Sequence, residues 1–493
     1  MNEEAFDVVV IGAGHNGLEC ARILGDAGLS VAVVDAAGAS GGMLRTDLSL
    51  GAEMVHHPHA LFLSYREIMP AYPGLRRHGL RVAVPEVQHG IAFEDGRPGI
   101  ALYRADQLER TYASIARYSR SDADLLTSIL KGARELTGVI RASMFEPPSP
   151  QAFSRHFRAV EGVFGPLGLT KSLGQRSVAQ LIQASFETPE VVTLLLMLAH
   201  ELGGSILEPG GDAGFLGVVS WLIGNRVLPI GGMGVVAEKW QCLAEETGAR
   251  MRLGSAVVSV RHRAGRATGV RLADGSVLES RAVISTIGRR TTRRLLGRKP
   301  SVDGRERATP FVARQHLVLR AAPRYRSLRG EPGLAEAAQV YFGWDDPAAV
   351  LDRSRDTLGG LLPAPGGALH MLTAFDRSLA PKGIHLAAID STLPGNLSSG
   401  EEAAIRASLG EAAAQRLADY APGLRIERSY VASFGAGDRH VDLAMGAEQY
   451  TGGVEGLYLA GTGVHPGGGV HGACAHNAVR ALLRSPDFSI IEK

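Results

Sequence analysis

The first 35 residues constrain the chain more than any other stretch. Asp7–Ile11 reads DVVVI, a β-branched run of the kind that forms a parallel strand buried on both faces. It leads directly into Gly12-Ala13-Gly14-His15-Asn16-Gly17. A helical pattern follows, with Leu18, Ala21 and Leu24 on one stripe. A second apolar run, Val31–Val34, then ends in Asp35. Strand, G-x-G-x-x-G, helix, strand, acid is the order of a dinucleotide-binding βαβ unit. Gly12 permits the tight turn, Gly14 lets backbone approach a pyrophosphate, and Gly17 lets the helix pack closely on the strand. The helix N-terminus, with Ala13, His15 and Asn16 around it, offers free N–H groups and a positive dipole end to phosphate. Asp35, 18 residues past Gly17, is placed to accept ribose hydroxyls and disfavours a 2′-phosphate.

The rest of the composition narrows the class. Glycine is 62 of 493 residues without a Gly-X-Y period, which excludes collagen and points to tight turns and close backbone approaches. Lys plus Arg is 52 against 50 for Asp plus Glu, a near-balance that argues against nucleic-acid binding. One basic cluster, Arg289, Arg290, Arg293, Arg294, Arg298 and Lys299, reads as a solvated helix face. The alternative is a docking surface for an anionic partner or membrane. The three cysteines, Cys20, Cys242 and Cys474, are too scattered for a disulfide framework or a zinc site and fit a cytoplasmic location. No metal site is expected. The acidic start (Glu3, Glu4, Asp7) is unlike a secretory leader. The longest apolar stretches, Val191–Ala199 and Ala213–Gly224, are too short to span a bilayer, which leaves only a peripheral membrane contact open.

Further glycine segments extend the first motif. Gly41-Gly42-Met43-Leu44-Arg45-Thr46 resembles the G-G-x-x-R extension of glutathione-reductase-type FAD proteins, where glycine backbone and an Arg approach the FAD diphosphate. Pro229–Gly234 reads PIGGMG and precedes a helical stretch, Val235–Thr247. Strand-like pieces follow at Ala256–Val260 and Thr268–Leu272, then an Asp274-Gly275 turn, then Arg281–Ile287. Near the C-terminus, the strand Leu457–Ala460 enters a glycine loop that opens a helix over Gly472–Leu483.

GAGHNGL at Gly12–Leu18, together with LAGTGVHPGGGVHGA at Leu459–Ala473, resembles the phytoene-dehydrogenase-related branch of FAD oxidoreductases in the amine-oxidase superfamily, and within it the non-carotenoid, PYROXD-like members. The resemblance implies FAD as cofactor. The meander strand near Val257 and Val258 would reach the adenine. Gly461, Thr462, Gly463, Gly469, Val470 and His471 would form the flavin end, with the helix N-terminus facing the flavin edge. Two positions depart from the wider superfamily: Gly463 stands where many relatives carry an acid, and His471 where Glu is common.

The fold expected is α/β (α+β overall), a discontinuous Rossmann-type FAD-binding domain from residues 1–80, 225–305 and 430–493. A mixed sheet-plus-helices substrate domain, 81–224 and 306–429, is inserted. Its helical blocks include Ala105–Ala142 and Val178–Leu202, and Phe153, Phe157, Phe164, Phe186, Phe215 and Trp221 belong to its core or line the substrate site. The expected function is FAD-dependent dehydrogenation, desaturation or oxidation: a hydride leaves a C–H bond of an apolar or amphipathic small molecule for flavin N5, and oxygen or a quinone-like acceptor reoxidises the flavin. A redox-neutral FAD isomerase and a non-catalytic FAD scaffold are the alternatives. His465, inside the flavin loop, and His57, in the His56-His57-Pro58-His59 cluster, are the candidate catalytic residues. His476 reads as packing and Cys474 as a buried thiol. Partners beyond the small molecule reduce to a peripheral membrane or carrier-protein contact, and the oligomeric state stays open.

Overall fold

The computed structural model describes residues 3–488 apart from 52, 58, 172–173, 202–204, 212–213, 300–310, 395–398 and 434–446. Pro58 and the side chain of Trp221 therefore lie outside the described set. Two seven-stranded sheets organise the chain.

The β-branched N-terminal run becomes the strand Glu3–Ile11. It lies in parallel between Val31–Val34 and Val277–Ser285, and Arg250–Arg252 extends the sheet beyond Val31–Val34. Leu457–Leu459 pairs in parallel with the last residues of Val277–Ser285. The first residues of that strand instead continue into an antiparallel meander with Arg266–Leu272 and Val257–Arg263. Three helices cover one face: His15–Asp26, Met233–Glu246 and Ala473–Leu483. Their apolar stripes, including Leu24, Trp240 and Leu482, share a core with Val8, Val10 and Val33. The meander closes the other face over Val9, Ile11 and Val34.

The second sheet runs in the order Ile426–Ser433, Phe311–Leu319, His385–Leu393, Gly367–Met371, Gln339–Phe342, Val87–Ile91, Ile100–Tyr103. It is antiparallel except where Gln339–Phe342 meets Val87–Ile91. Its strand pattern alternates as a sheet covered on both sides must. Leu317, Leu319 and Leu369 face the helix Ser399–Tyr420 through Leu417 and Tyr420. Val318, Leu386 and Ala388 face the opposite way, onto Leu50, Met54 and Leu61. Ile426–Ser433, which straddles the expected boundary at 430, is thus an edge strand of this second sheet.

The expected helical blocks resolve into Leu108–Ala116, Arg120–Glu135 and Thr137–Phe145, and into Val178–Ser185 and Pro189–Glu201. Ser119 caps the second of these, and Ser177 with Gln180 forms a capping box on the fourth. Phe164, Phe186 and Phe215 sit in their shared core, whereas Phe153 is 69% exposed and stacks on Phe157 along the helix Pro150–Phe164. Among the described residues no helix is long and apolar enough to cross a membrane. Near the glycine loops, Val82–Ala83 forms a short ladder with Leu228–Pro229, and Leu63 bridges Val227.

Candidate functional site

The glycine motif closes as its spacing requires. Gly12 adopts φ +102°, and a Cβ there would lie 2.4 Å from the Thr286 hydroxyl. A Cβ on Gly17 would lie 1.8 Å from the Gly12 carbonyl oxygen, so the helix can approach the strand only with glycine at this position. Gly14 differs from both. It is the N-cap of His15–Asp26, makes no side-chain cap, and the nearest protein atom to a Cβ there would be the Gly41 oxygen at 4.0 Å. The space in front of this helix end is therefore open. Two buried polar atoms lie beside it without protein partners, Nε2 of His15 and Oδ1 of Asn16. Asp35 ties the unit together: its carboxylate accepts the Ala13 N–H at 2.7 Å and the Ala37 N–H at 2.8 Å. A carboxylate has about four acceptor positions, so two remain for hydroxyls.

The second glycine loop packs directly on the first. Gly41 bridges Gly14, its N–H donates to the Ala13 carbonyl, and the Cα of Gly14 lies 3.4 Å from a Cβ built on Gly42. Met43 is 48% exposed, and Arg45 is exposed beside it. Val258 lies on the same side. The ladder shifts register between Val257 and Ser259, which makes Val258 a bulge with its backbone outside the ladder and its side chain 49% exposed. Its neighbour Ser255 donates to the Asp35 carbonyl, so bulge and acid share one end of the groove.

The C-terminal loop joins the same groove at the other end. The backbone of Gly469 hydrogen-bonds His15, whose pKa burial pulls down to about 4. His471 is fully buried, accepts the Ala473 N–H at 3.0 Å and meets Tyr65 edge-on. Burial, helped by His15, lowers its pKa to about 3, so it is neutral. Gly461 must be glycine, because a Cβ there would lie 2.8 Å from the Thr286 carbonyl oxygen. Thr462 is half-buried and Gly463 buried beside it, while Val470 packs on the helix layer. Gly472 caps Ala473–Leu483 in the left-handed region, again without a side-chain cap. Cys474 is buried and donates to the Gly467 carbonyl, and burial pushes its thiol up to about 12.

His465 stands apart from the role expected of it. Its Nε2 lies 2.7 Å from the Ser143 carbonyl oxygen, and its N–H donates to Gln449. The side chain thus pins the helix Thr137–Phe145 to the flavin loop instead of facing open space. His476 likewise does more than pack. It joins Glu19, a fully buried carboxylate that also accepts from Arg22 and from the Trp240 indole N–H at 2.9 Å. Burial alone would raise the Glu19 pKa, but the bonds from Arg22 and His476 hold it at about 2. Glu19 thereby ties together all three helices of the layer. Its only sequence signal is an acid beside the apolar stripe.

A third uncapped helix end, Gly232 before Met233–Glu246, completes the groove. A Cβ on Gly232 would lie 2.3 Å from His57 and 3.3 Å from Thr46 of the second glycine loop. His57 is buried, and burial beside Arg314 drops its pKa to about 3. Arg314 forms a bidentate pair with Asp390, its partner in the cross-strand register, and donates to the carbonyls of His57 and His59. This clamp fastens the 56–59 segment to the second sheet. His316, His370 and Arg226 continue the same buried polar surface, and none of them, nor Arg314 or Asp390, carries a local sequence motif. Among the described residues no cluster of three or more His, Cys, Asp or Glu has the geometry of a metal site.

The model for flavin-containing amine oxidoreductases matches residues 17–482. The chain belongs to this family. Its cofactor is FAD and it is an oxidoreductase. The chain is 26% identical to one of the limonene dehydrogenase subunits from Castellaniella defragrans, over 84% of its own length and 78% of that protein. It is 23% identical to pyridine nucleotide-disulfide oxidoreductase domain-containing protein 2 of Mus musculus, over 97% and 93%. The fold matches putrescine oxidase bound to putrescine with a TM-score of 0.59 at 17% identity, covering 100% of both chains. The groove fits FAD on its own terms: an open cradle at Gly14, orphaned polar atoms on His15 and Asn16, a bulged backbone at Val258, and uncapped helix ends at Gly14, Gly232 and Gly472.

Proposed function

We propose that this flavoenzyme removes a hydride from a C–H bond of an apolar or amphipathic small molecule held between the glycine loops and the second sheet, with oxygen or a quinone-like compound as final electron acceptor. The observation that carries this reading is the meeting of the glycine loops with a buried polar face of the second sheet at His57 and Gly232. In this reading the first-sheet body holds the cofactor and the second-sheet body the substrate. Bound FAD supplies the two-electron acceptor chemistry.

The chain's own residues hold and shield. Gly14, His15 and Asn16 present N–H groups and polar atoms to a diphosphate, and Asp35 offers its remaining lone pairs to a ribose. The N-terminus of Ala473–Leu483 presents positive dipole to an electron-rich ring edge. Arg314 fixes the His57 backbone, and the low pKa of His57 keeps its imidazole neutral, so it orients by hydrogen bonding instead of carrying charge. The dehydrogenase named among the relatives supports this class of reaction. The exposed Phe153 beside Phe157 supports a peripheral contact with a membrane or carrier protein.

Anaerobic mixing with a panel of apolar and amphipathic small molecules tests the proposal. Bleaching of the visible flavin band by a compound that is converted supports it. Conversion without net bleaching overturns it in favour of a redox-neutral isomerase, and stable FAD that no compound reduces favours a scaffold.

A further inference from the structure

The second sheet turns a surface towards the glycine loops that is more polar than a hydrocarbon site requires. His316 lies on this face, in alternation with Arg314 and Val318 on the strand Phe311–Leu319. Its side chain is 1% exposed, yet neither ring nitrogen has a hydrogen-bond partner. The ring lies 4.4 Å from that of His56 and 6.4 Å from that of Tyr430, its cross-strand neighbour. His57 and His370 each add a buried Nδ1 without a partner. Buried imidazole nitrogens in folded proteins are paired, and an unpaired cluster marks a place where something polar binds. Tyr430, beside His56 and His316 at the edge of the cluster, is 44% exposed.

Charge narrows the ligand. Arg314 and Asp390, the ions that face His316, neutralise each other in a bidentate pair. Burial, with Arg314 next, holds His316 itself at a pKa of about 2, so the ring is neutral and offers one donor and one acceptor. Such a site favours a neutral oxygen, since a hydroxyl both donates and accepts and a carbonyl accepts. Beside His316 itself an ammonium would lack a free counter-charge, and so would a carboxylate.

We propose that His316, flanked by His56 and Tyr430, is a specificity-determining residue that hydrogen-bonds a neutral oxygen of the substrate, so that the natural substrate is an oxygenated amphipathic molecule, an alcohol or ketone, instead of a pure hydrocarbon, an amine or an acid. This rests on the oxidoreductase reading above and names its substrate class.

The test uses the FAD-loaded full chain and a matched set of probes: octan-2-ol, octan-2-one, octane, octan-2-amine and octanoate. Binding is followed by perturbation of the flavin spectrum. Octanol or octanone is expected to bind about tenfold or more tightly than octane, the amine or the acid, the size of one neutral hydrogen bond in a buried site. His316→Leu should erase that preference and leave octane binding unchanged, while His316→Gln, which keeps a donor and an acceptor, should restore most of it. Equal binding of octane and octanol, no perturbation by either oxygenated probe up to its solubility, or an unchanged preference in His316→Leu overturns the proposal. Should His316→Leu fail to fold, the comparison of probes on the parent chain decides. FAD content is measured first: a parent chain without FAD sinks the oxidoreductase reading, whereas FAD present without an oxygen preference sinks only the inference about His316.

Discussion

Replacing Glu19 by Gln perturbs the helix layer behind the cofactor groove at its one buried charge. The carboxylate is fully buried and accepts two bonds from Arg22, one from Trp240 and one from His476. Its pKa falls from an ordinary 4.5 to about 2. At about 1.36 kcal/mol per unit, that difference is worth about 3 kcal/mol. The sign follows from the direction. A carboxyl depressed in the folded state stabilises fully above its unfolded value, and the contribution fades as pH falls from 4.5 towards 2. Gln keeps the shape but not the charge, and leaves Arg22 and His476 facing a neutral amide. Urea unfolding followed by tryptophan fluorescence reads this directly, because the Trp240 indole donates to Glu19. At neutral pH the variant should lose about 3 kcal/mol, and the gap to the parent should close as pH drops through that window. A variant within about 0.5 kcal/mol of the parent at neutral pH would refute the reasoning.

The second and third glycines of the first motif should fail in different ways. Gly14→Val should give a folded protein that does not retain FAD, whereas Gly17→Ala, whose Cβ would overlap the Gly12 carbonyl, should give little soluble protein; circular dichroism and flavin content separate the outcomes. Arg314→Lys replaces a planar fork by a point charge and should destabilise the chain by roughly 2–4 kcal/mol, seen as a lower thermal midpoint. The Cys474 thiol, buried and pushed up to about 12, should resist iodoacetamide at mildly alkaline pH until the chain is unfolded, as mass spectrometry of the alkylated peptide would show.

What was legible in the sequence was local. The βαβ unit at Glu3–Asp35 could be read because three glycines, a β-branched run and an acid each answer a backbone requirement within a few residues. The adenine contact near Val257 and Val258 is what the resemblance implies, and the meander carries a bulge at Val258. The contacts with no local signal depend on chain segments brought together from far away. His465 sits in the flavin loop, as expected, but its partner is a carbonyl 322 residues earlier in the chain. Glu19 finds Trp240 and His476 only after the helices stack, and Arg314 meets Asp390 only through strand register. The phenylalanines of the helical blocks read as core or substrate lining, and Phe164, Phe186 and Phe215 pack in a helical core, whereas the polar face of the second sheet is built from His, Arg and Asp residues with no motif to announce them.

The central claim is that the three glycine-lined helix ends form one FAD groove. It is tested most directly by the amount of FAD released on denaturing the purified, folded chain after reconstitution. The groove predicts about one FAD per chain. A folded chain that holds essentially none would contradict it.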